Sequence, residues 1–210
     1  MNATARTLEP VVTNALGLPW PGPEGFTIAD LHALPDDGLR YELVDGSIIV
    51  SPSATYGHNT IARWIANLME DSSPNDDWVV SIDQSATVDD HNEPRPDIVV
   101  AKVEHFRTTP FPIQDTLMVG EVVSPSSVLR DTETKKALYA KAGVPAYWIV
   151  VPDEDKERIT LAELRLDGGV YHFVEHFTAD VFRTDFPWPV EIDLPAMSER
   201  WARRLRRAPR

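Results

Sequence analysis

The spacing of apolar residues in the first third of the chain predicts a short helix, a β-hairpin and a longer helix. Thr27 stands directly before the apolar run 28–35 and is a favoured N-cap residue. Two short β runs within 40–52 flank Asp45-Gly46, a residue pair typical of a tight hairpin turn. Residues 57–70 carry apolar side chains at helical spacing, which predicts a helix with one apolar face.

The middle of the chain predicts strands arranged around a crossover. The predicted strands cover 78–88, 97–103, 117–123 and 146–151. A helix is expected over 131–142, with Asp131 as its cap and Gly143 just past its end. The strand before this helix is apolar apart from Glu121, and the strand after it is a continuous apolar run, which is typical of a parallel βαβ unit buried on both faces.

The C-terminal third returns to a β-hairpin, with strands over 158–166 and 170–177, and ends in a short strand and a helix that carries Trp201. Residues 1–24 lack periodicity and are rich in proline, so we expect an extended or mobile arm there. A chain of 210 residues is long enough for one ordinary domain. We therefore predict an arm over 1–24, a single mixed α/β domain over 25–198 and a tail over 199–210.

The composition excludes several kinds of site. The chain has no cysteine, which rules out disulfides, thiolate metal sites and cysteine nucleophiles. A glycine-rich phosphate loop, a G-x-S-x-G elbow and an H-E-x-x-H zinc motif are all missing from the sequence. The first residues do not resemble a signal peptide, and the longest apolar runs, such as 146–152, are too short to cross a bilayer. These features predict a cytoplasmic protein that does not enter membranes.

Charge is distributed unevenly along the chain. The formal net charge of −13 argues against a general nucleic-acid coat protein, which should be basic. Residues 199–210 nevertheless contain six arginines and one glutamate, a charge of +5, so the preceding residues carry −18. Such a basic segment either contacts nucleic acid or an acidic partner, or it is a solvated terminal helix.

Asp97 and Glu121 are the acidic residues that the strand pattern singles out. Asp97 opens a β run after Arg95-Pro96, and Glu121 lies inside the apolar strand 117–123. A carboxylate in such a strand is costly to bury unless it is paired or binds a cation. Neighbouring strands would bring the two carboxylates together as hard oxygen ligands for Mg²⁺ or Mn²⁺. The alternative is that each carboxylate pairs with a nearby arginine or lysine.

Three further residues are candidates for the same site. Asp131, Lys135 and Tyr139 share one helix face, so Lys135 either stabilises charge beside a metal or forms a surface pair with Asp131. Glu42 is either an exposed strand residue or a third carboxylate of the site. His58, near the start of its helix, is either structural or catalytic.

Four ordered stretches of the sequence resemble one known family. They are 41-YELVDGSIIVSPS-53, 95-RPDIVV-100, 121-EVVSPSS-127 and 131-DTETKKALYAKAGVPAYWIV-150. Together they resemble the Uma-type family of inferred endonucleases, part of the PD-(D/E)XK superfamily, over about residues 26 to 194. The resemblance implies a restriction-endonuclease-like core, which is a mixed sheet flanked by helices.

The resemblance also implies roles for individual residues. It assigns the two acidic positions to Asp97 and Glu121. The superfamily's usual lysine position holds Val123 here, and the resemblance places the lysine at Lys135 in the following helix, although Lys136 is adjacent. It further matches Glu42 and His58 to family positions. A Mg²⁺ or Mn²⁺ ion would then be held by Asp97, Glu121 and the Val122 carbonyl.

These roles imply a metal-dependent endonuclease that hydrolyses phosphodiester bonds in DNA. Cutting both strands of a duplex favours paired sites, which leaves a homodimer open. Two alternatives remain: a non-catalytic binding or assembly module that keeps the nuclease fold, and a hydrolase of another phosphodiester.

Overall fold

The computed structural model describes residues 14, 16–51, 54–125 and 127–209, and begins with the predicted helices and hairpin. Helix α1 spans Ile28–His32, strands β1 and β2 span Arg40–Val44 and Ser47–Ser51, and helix α2 spans Tyr56–Asp71. Thr27 caps α1, as predicted, and also forms a capping box with Asp30. Asp45 and Gly46 have φ angles of 47° and 67°, and positive φ at both central residues is what a type I′ hairpin turn requires. Most of the expected arm, namely 1–13 and 15, lies outside the described residues.

The middle of the chain contains five strands. They are β3 (Trp78–Ile82), β4 (Ala86–Thr87), β5 (Ile98–Lys102), β6 (Phe111–Pro112) and β7 (Thr116–Val122). The prediction of one strand over 78–88 is wrong, because the chain turns at Asp83, which has a φ of 59°. Arg40 and Arg95 both pair with the Asp83 carboxylate and fix this turn. Strand β4 then leaves the main sheet and pairs in parallel with β6.

The predicted βαβ crossover is present. A π-helical turn over Arg130–Thr134 leads into helix α3 (Lys135–Lys141), and strand β8 (Ala146–Asp153) pairs in parallel with β7. Gly143 follows α3 with a φ of 81°, as expected for the residue after a helix end. The prediction that Asp131 caps this helix is wrong. Asp131 is buried inside the π-helical turn, where the backbone is already helical.

The C-terminal region completes the central sheet and adds a second small hairpin. It comprises β9 (Arg158–Asp167), β10 (Val170–Thr178), β11 (Val181–Thr184), β12 (Val190–Asp193) and helix α4 (Leu194–Leu205). The six-stranded sheet has the order β10-β9-β8-β7-β5-β3, and its pairs are antiparallel except β7 with β8. This is the predicted mixed sheet flanked by helices, with hairpins towards both termini. Among the described residues, no helix is both long and apolar enough to span a membrane.

The side chains of the central strands alternate between two apolar cores. Ile98, Val100, Met118 and Val122 pack on one face against α2 and α4, while Val99, Val119 and Val123 pack on the other face with Tyr139 of α3. Glu121 therefore projects towards the α3 face. Strand β5 pairs with β7 in a register that places Ile98 opposite Gly120, so Asp97 follows directly opposite Glu121. The sheet thus brings the two predicted acidic residues side by side.

Candidate active site

Asp97 is held where β5 meets β7 by a backbone amide and a histidine. Its Oδ2 accepts a hydrogen bond of 2.7 Å from the Val122 amide and lies 3.2 Å from His58 Nε2. The same His58 nitrogen lies 2.7 Å from the Val122 carbonyl oxygen. Because a carbonyl oxygen can only accept, Nε2 carries the hydrogen. Helix α2 thus anchors the end of β7 through His58, three residues after its N-cap Thr55.

Lys135 connects two buried glutamates. Its Nζ donates to Glu121 Oε1 at 3.0 Å and lies 2.8 Å from Glu42 Oε2. Tyr139, one turn further along α3, donates to the same Glu121 oxygen at 2.9 Å. Glu42 Oε2 also accepts from the Arg95 amide at 3.1 Å. Lys135 is only 2% exposed, so the alternative prediction of a surface pair with Asp131 is wrong. Lys135 instead links α3 to β1 through Glu42 and to β7 through Glu121.

The electrostatics of this cluster favour a charged lysine. Burial acts to lower the pKa of Lys135, but the carboxylates of Glu121, Glu42 and Asp131 outweigh burial and raise the pKa above its ordinary value. Burial raises the pKa of Glu121 well above its usual range; Lys135 opposes this shift, and the carboxylates of Asp97, Asp131 and Glu42 add to it. One ammonium is therefore shared among several carboxylates, and a further cation near Glu121 would relieve their repulsion.

His58 and Asp131 have shifted pKa values as well. Burial acts to lower the pKa of His58, but the hydrogen bond that His58 donates to Asp97 and the negative charge of Asp97 outweigh burial and raise the pKa. Burial raises the pKa of Asp131, against the opposing effects of Lys135 and the Ser127 hydroxyl. Shifted groups of this kind, concentrated in one cleft, are typical of functional sites.

A cavity of about 240 Å³ opens over this cluster. The predicted residues that line it are Glu42, His58, Asp97, Glu121, Val122 and Lys135. Lys136, the alternative lysine, lies elsewhere, with its Nζ 5.7 Å from the centre of the Phe173 ring on β10. The structure thus brings all the predicted site residues to one cavity and separates Lys135 from Lys136.

Two oxygens in the cavity are suited to a cation. All contacts of the Asp97 carboxylate are made by Oδ2, and all contacts of the Glu121 carboxylate by Oε1. In the described part of the chain, Asp97 Oδ1 and Glu121 Oε2 therefore have no hydrogen-bonding partner. The Val122 carbonyl accepts from His58 and keeps a second lone pair. Two carboxylate oxygens and a carbonyl oxygen are hard ligands of the type that Mg²⁺ and Mn²⁺ prefer.

Comparison with known proteins identifies the family. The model of the Uma2 family, described as "Putative restriction endonuclease", matches residues 28–190. The chain belongs to the Uma2 family. Among solved structures, the crystal structure of a "putative nuclease belonging to DUF820" from Anabaena variabilis matches with a TM-score of 0.64 and 17% identity, over 84% of this chain and 99% of that chain. No curated protein matches.

The Uma2 chain has a second acidic group, away from the cavity. It consists of Glu104, His105 and Asp115, whose ligand atoms all lie within 4.8 Å of one another. This spacing could hold a metal ion. Both oxygens of Asp115 are already bound, one to Lys102 at 2.6 Å and the other to His105 at 2.8 Å. The lysine therefore occupies the position that a cation would need at Asp115.

Some cavity residues of the Uma2 chain escape prediction from sequence. Arg130 and Asp131 are the main examples, because the sequence suggests a helix start at Asp131 and gives no sign of the wider π-helical turn. Asp83 and its partners Arg40 and Arg95 also line the cavity. The nearest available signal is the four-residue spacing of Asp131, Lys135 and Tyr139, which places Asp131 on the same helix face as the site lysine.

Proposed function

We propose that this Uma2 protein is a metal-dependent endonuclease that hydrolyses phosphodiester bonds in DNA. The observation that carries the proposal is the pair of unpartnered oxygens on Asp97 and Glu121, within the described residues, beside the buried Lys135. Asp97, Glu121 and the Val122 carbonyl would hold Mg²⁺ or Mn²⁺. When bound, such an ion polarises the phosphodiester and lowers the pKa of a coordinated water.

Lys135 stabilises charge in this proposal and does not act as a base. Its pKa is raised, so the ammonium keeps its proton at neutral pH. Two of its three N–H groups point to Glu42 and Glu121, which leaves one for a water molecule or a phosphate oxygen. A fixed positive charge in a buried site stabilises the charge that develops on phosphate during hydrolysis.

His58 and Glu42 act by positioning. His58 holds the Asp97 carboxylate and the Val122 carbonyl together, and both groups are proposed ligands. Glu42 fixes Lys135 from the side opposite Glu121 and orients water or a second ion. Partners of this kind, which orient metal ligands, commonly change metal affinity or activity by about 10- to 100-fold when removed.

Helix α4 supports a polyanionic substrate rather than a small phosphodiester. Its arginines are exposed, and Arg200 and Arg204 lie 4.6 and 5.0 Å from the Trp64 ring centre on α2. On its inner side, α4 places Trp201 Nε1 3.6 Å from the position that a Cβ on Gly57 would occupy, one residue before His58. Helix α4 therefore packs beside the helix that carries His58, and its exposed arginines offer positive charge to a nucleic-acid backbone.

The test is cleavage of labelled duplex and single-stranded DNA and RNA with and without Mg²⁺ or Mn²⁺. Wild type is expected to cut DNA only with the metal, and Asp97→Asn is expected to lose this activity while it stays folded. The matched control is Asp115→Asn, which alters the second acidic group and should cut normally. Undiminished cleavage by Asp97→Asn would contradict the proposal.

A non-catalytic binding module is the second candidate, because the net charge of −13 should repel phosphate. That function predicts no cleavage of DNA or RNA under any metal condition. Cleavage of a small phosphodiester but not of nucleic acid would instead indicate a different hydrolase. A homodimer, which would pair two sites for cutting both strands, stays open and is tested directly by sedimentation velocity.

A further inference from the structure

Four arginine and lysine side chains line the cavity, and three of them make short contacts with carboxylates. Arg40 and Arg95 pair with Asp83, and Arg95 Nε lies 2.7 Å from Asp83 Oδ1. Lys135 pairs with the two buried glutamates. These three cations hold the protein's own carboxylates in place and neutralise part of their charge.

Arg130 differs from the other three. Within the described residues its guanidinium makes no hydrogen bond, and its Nε is shielded from solvent without a partner. The nearest carboxylate oxygen, Asp131 Oδ1, lies 3.7 Å from Nε, which is too long for a hydrogen bond. Across the described residues, the other two buried side-chain polar atoms without a partner belong to Thr116 and Trp148, which do not line the cavity. Buried hydrogen-bond donors almost always have an acceptor. The missing acceptor of Arg130 is therefore one that a ligand would supply.

The position of Arg130 indicates what this acceptor is. Arg130 opens the π-helical turn that precedes Lys135, and such turns occur frequently at functional sites. Its side chain is 27% exposed, so a ligand in the cavity can reach it. A guanidinium presents paired N–H donors that match two phosphate oxygens, and it stays charged at every physiological pH.

We infer that Arg130 binds a phosphate group of the substrate beside the Asp97–Glu121 pair. The inference rests on the proposed function, because that function puts a phosphodiester in the cavity. Arg130 holds two oxygens of this phosphate through its free N–H groups, while Lys135 keeps its contacts with the glutamates. Arg130 is thus a substrate-binding residue whose loss weakens binding of phosphate without removing the metal ligands.

The inference is tested by DNA binding in EDTA, measured by the fluorescence anisotropy of a labelled oligonucleotide at a series of salt concentrations. Arg130→Met should weaken binding at least tenfold and reduce the slope of log K against log salt by about 1. Arg130→Lys keeps the charge but loses the paired donors, so its DNA affinity should lie between those of wild type and Arg130→Met. Lys136→Met, which removes a nearby cation outside the cavity, should leave affinity and slope within twofold of wild type.

A second arm uses inorganic phosphate and needs no nucleic acid. Rising phosphate should raise the melting temperature of wild type more than that of Arg130→Met, because a ligand of the folded state stabilises it. The inference is overturned if wild type and Arg130→Met bind DNA with equal affinity and show an equal rise of melting temperature with phosphate. It is also overturned if Lys136→Met loses as much DNA affinity as Arg130→Met. If wild type binds no DNA in EDTA, the phosphate arm alone decides the role of Arg130, while the cleavage assay with Mg²⁺ or Mn²⁺ decides the proposed function.

Discussion

Removal of the Lys135 ammonium should destabilise the fold strongly. Lys135 is 2% exposed and lies 2.8 and 3.0 Å from Glu42 and Glu121 oxygens. Methionine has a similar length, so Lys135→Met keeps most of the packing but leaves two buried glutamates without their cation. Breaking a buried ion pair by removing one partner costs about 3–5 kcal/mol. The adjacent Lys136 is half-buried over Phe173, and Lys136→Met should cost only about 0.5–1 kcal/mol.

Urea unfolding in EDTA at pH 7, followed by circular dichroism and tryptophan fluorescence, measures both changes. The free energy of unfolding should fall by at least about 2 kcal/mol more for Lys135→Met than for Lys136→Met. Adding Glu121→Gln to Lys135→Met should recover part of the loss, because it removes one of the uncompensated charges. Equal costs for the two lysine variants would refute the claim that Lys135 neutralises a buried carboxylate cluster.

Three further predictions concern other parts of the site. Burial raises the pKa of Glu121, so over a range of pH the folded state keeps a proton on this carboxyl that the unfolded state has released. Without metal, the free energy of unfolding should therefore fall as pH rises above about 4.3, the ordinary pKa of a glutamate. Melting curves in EDTA should show this slope, and it should flatten in Glu121→Gln. His58→Ala should weaken Mn²⁺ binding by about 10- to 100-fold, and an unchanged affinity would argue against its positioning role. Replacing Arg200, Arg204 and Arg207 with glutamine should reduce the salt slope of DNA binding by up to about 3, while the melting temperature is retained.

Local sequence signals were sufficient where the neighbouring residues determine the conformation. Asp45-Gly46 specifies its hairpin turn through the positive φ of both residues, and Thr27 caps its helix through its own hydroxyl. The strands that enclose Glu121 were predictable because continuous apolar runs on both sides of a helix are typical of parallel buried strands.

The remaining features depend on residues far apart in the chain. Lys135 and Glu42 are 93 positions apart, and only the packed sheet shows that the lysine is buried between two glutamates. The turn at Asp83, which ends β3 early, is fixed by Arg40 and Arg95, and Arg40 is distant in sequence. The burial of Asp131 follows from a π-helical turn that has no known local signature in these residues. The division into an arm, one domain and a tail stays a prediction.

The most direct test of the metal site is calorimetric titration of Mn²⁺ into wild type, Asp97→Asn and Asp115→Asn. These variants separate the two acidic groups of the chain, because each removes one carboxylate from one group. Saturable binding is expected for wild type and Asp115→Asn, and it should be lost in Asp97→Asn. Retained binding in Asp97→Asn together with loss in Asp115→Asn would contradict a metal site at Asp97 and Glu121 and place the metal at Glu104, His105 and Asp115.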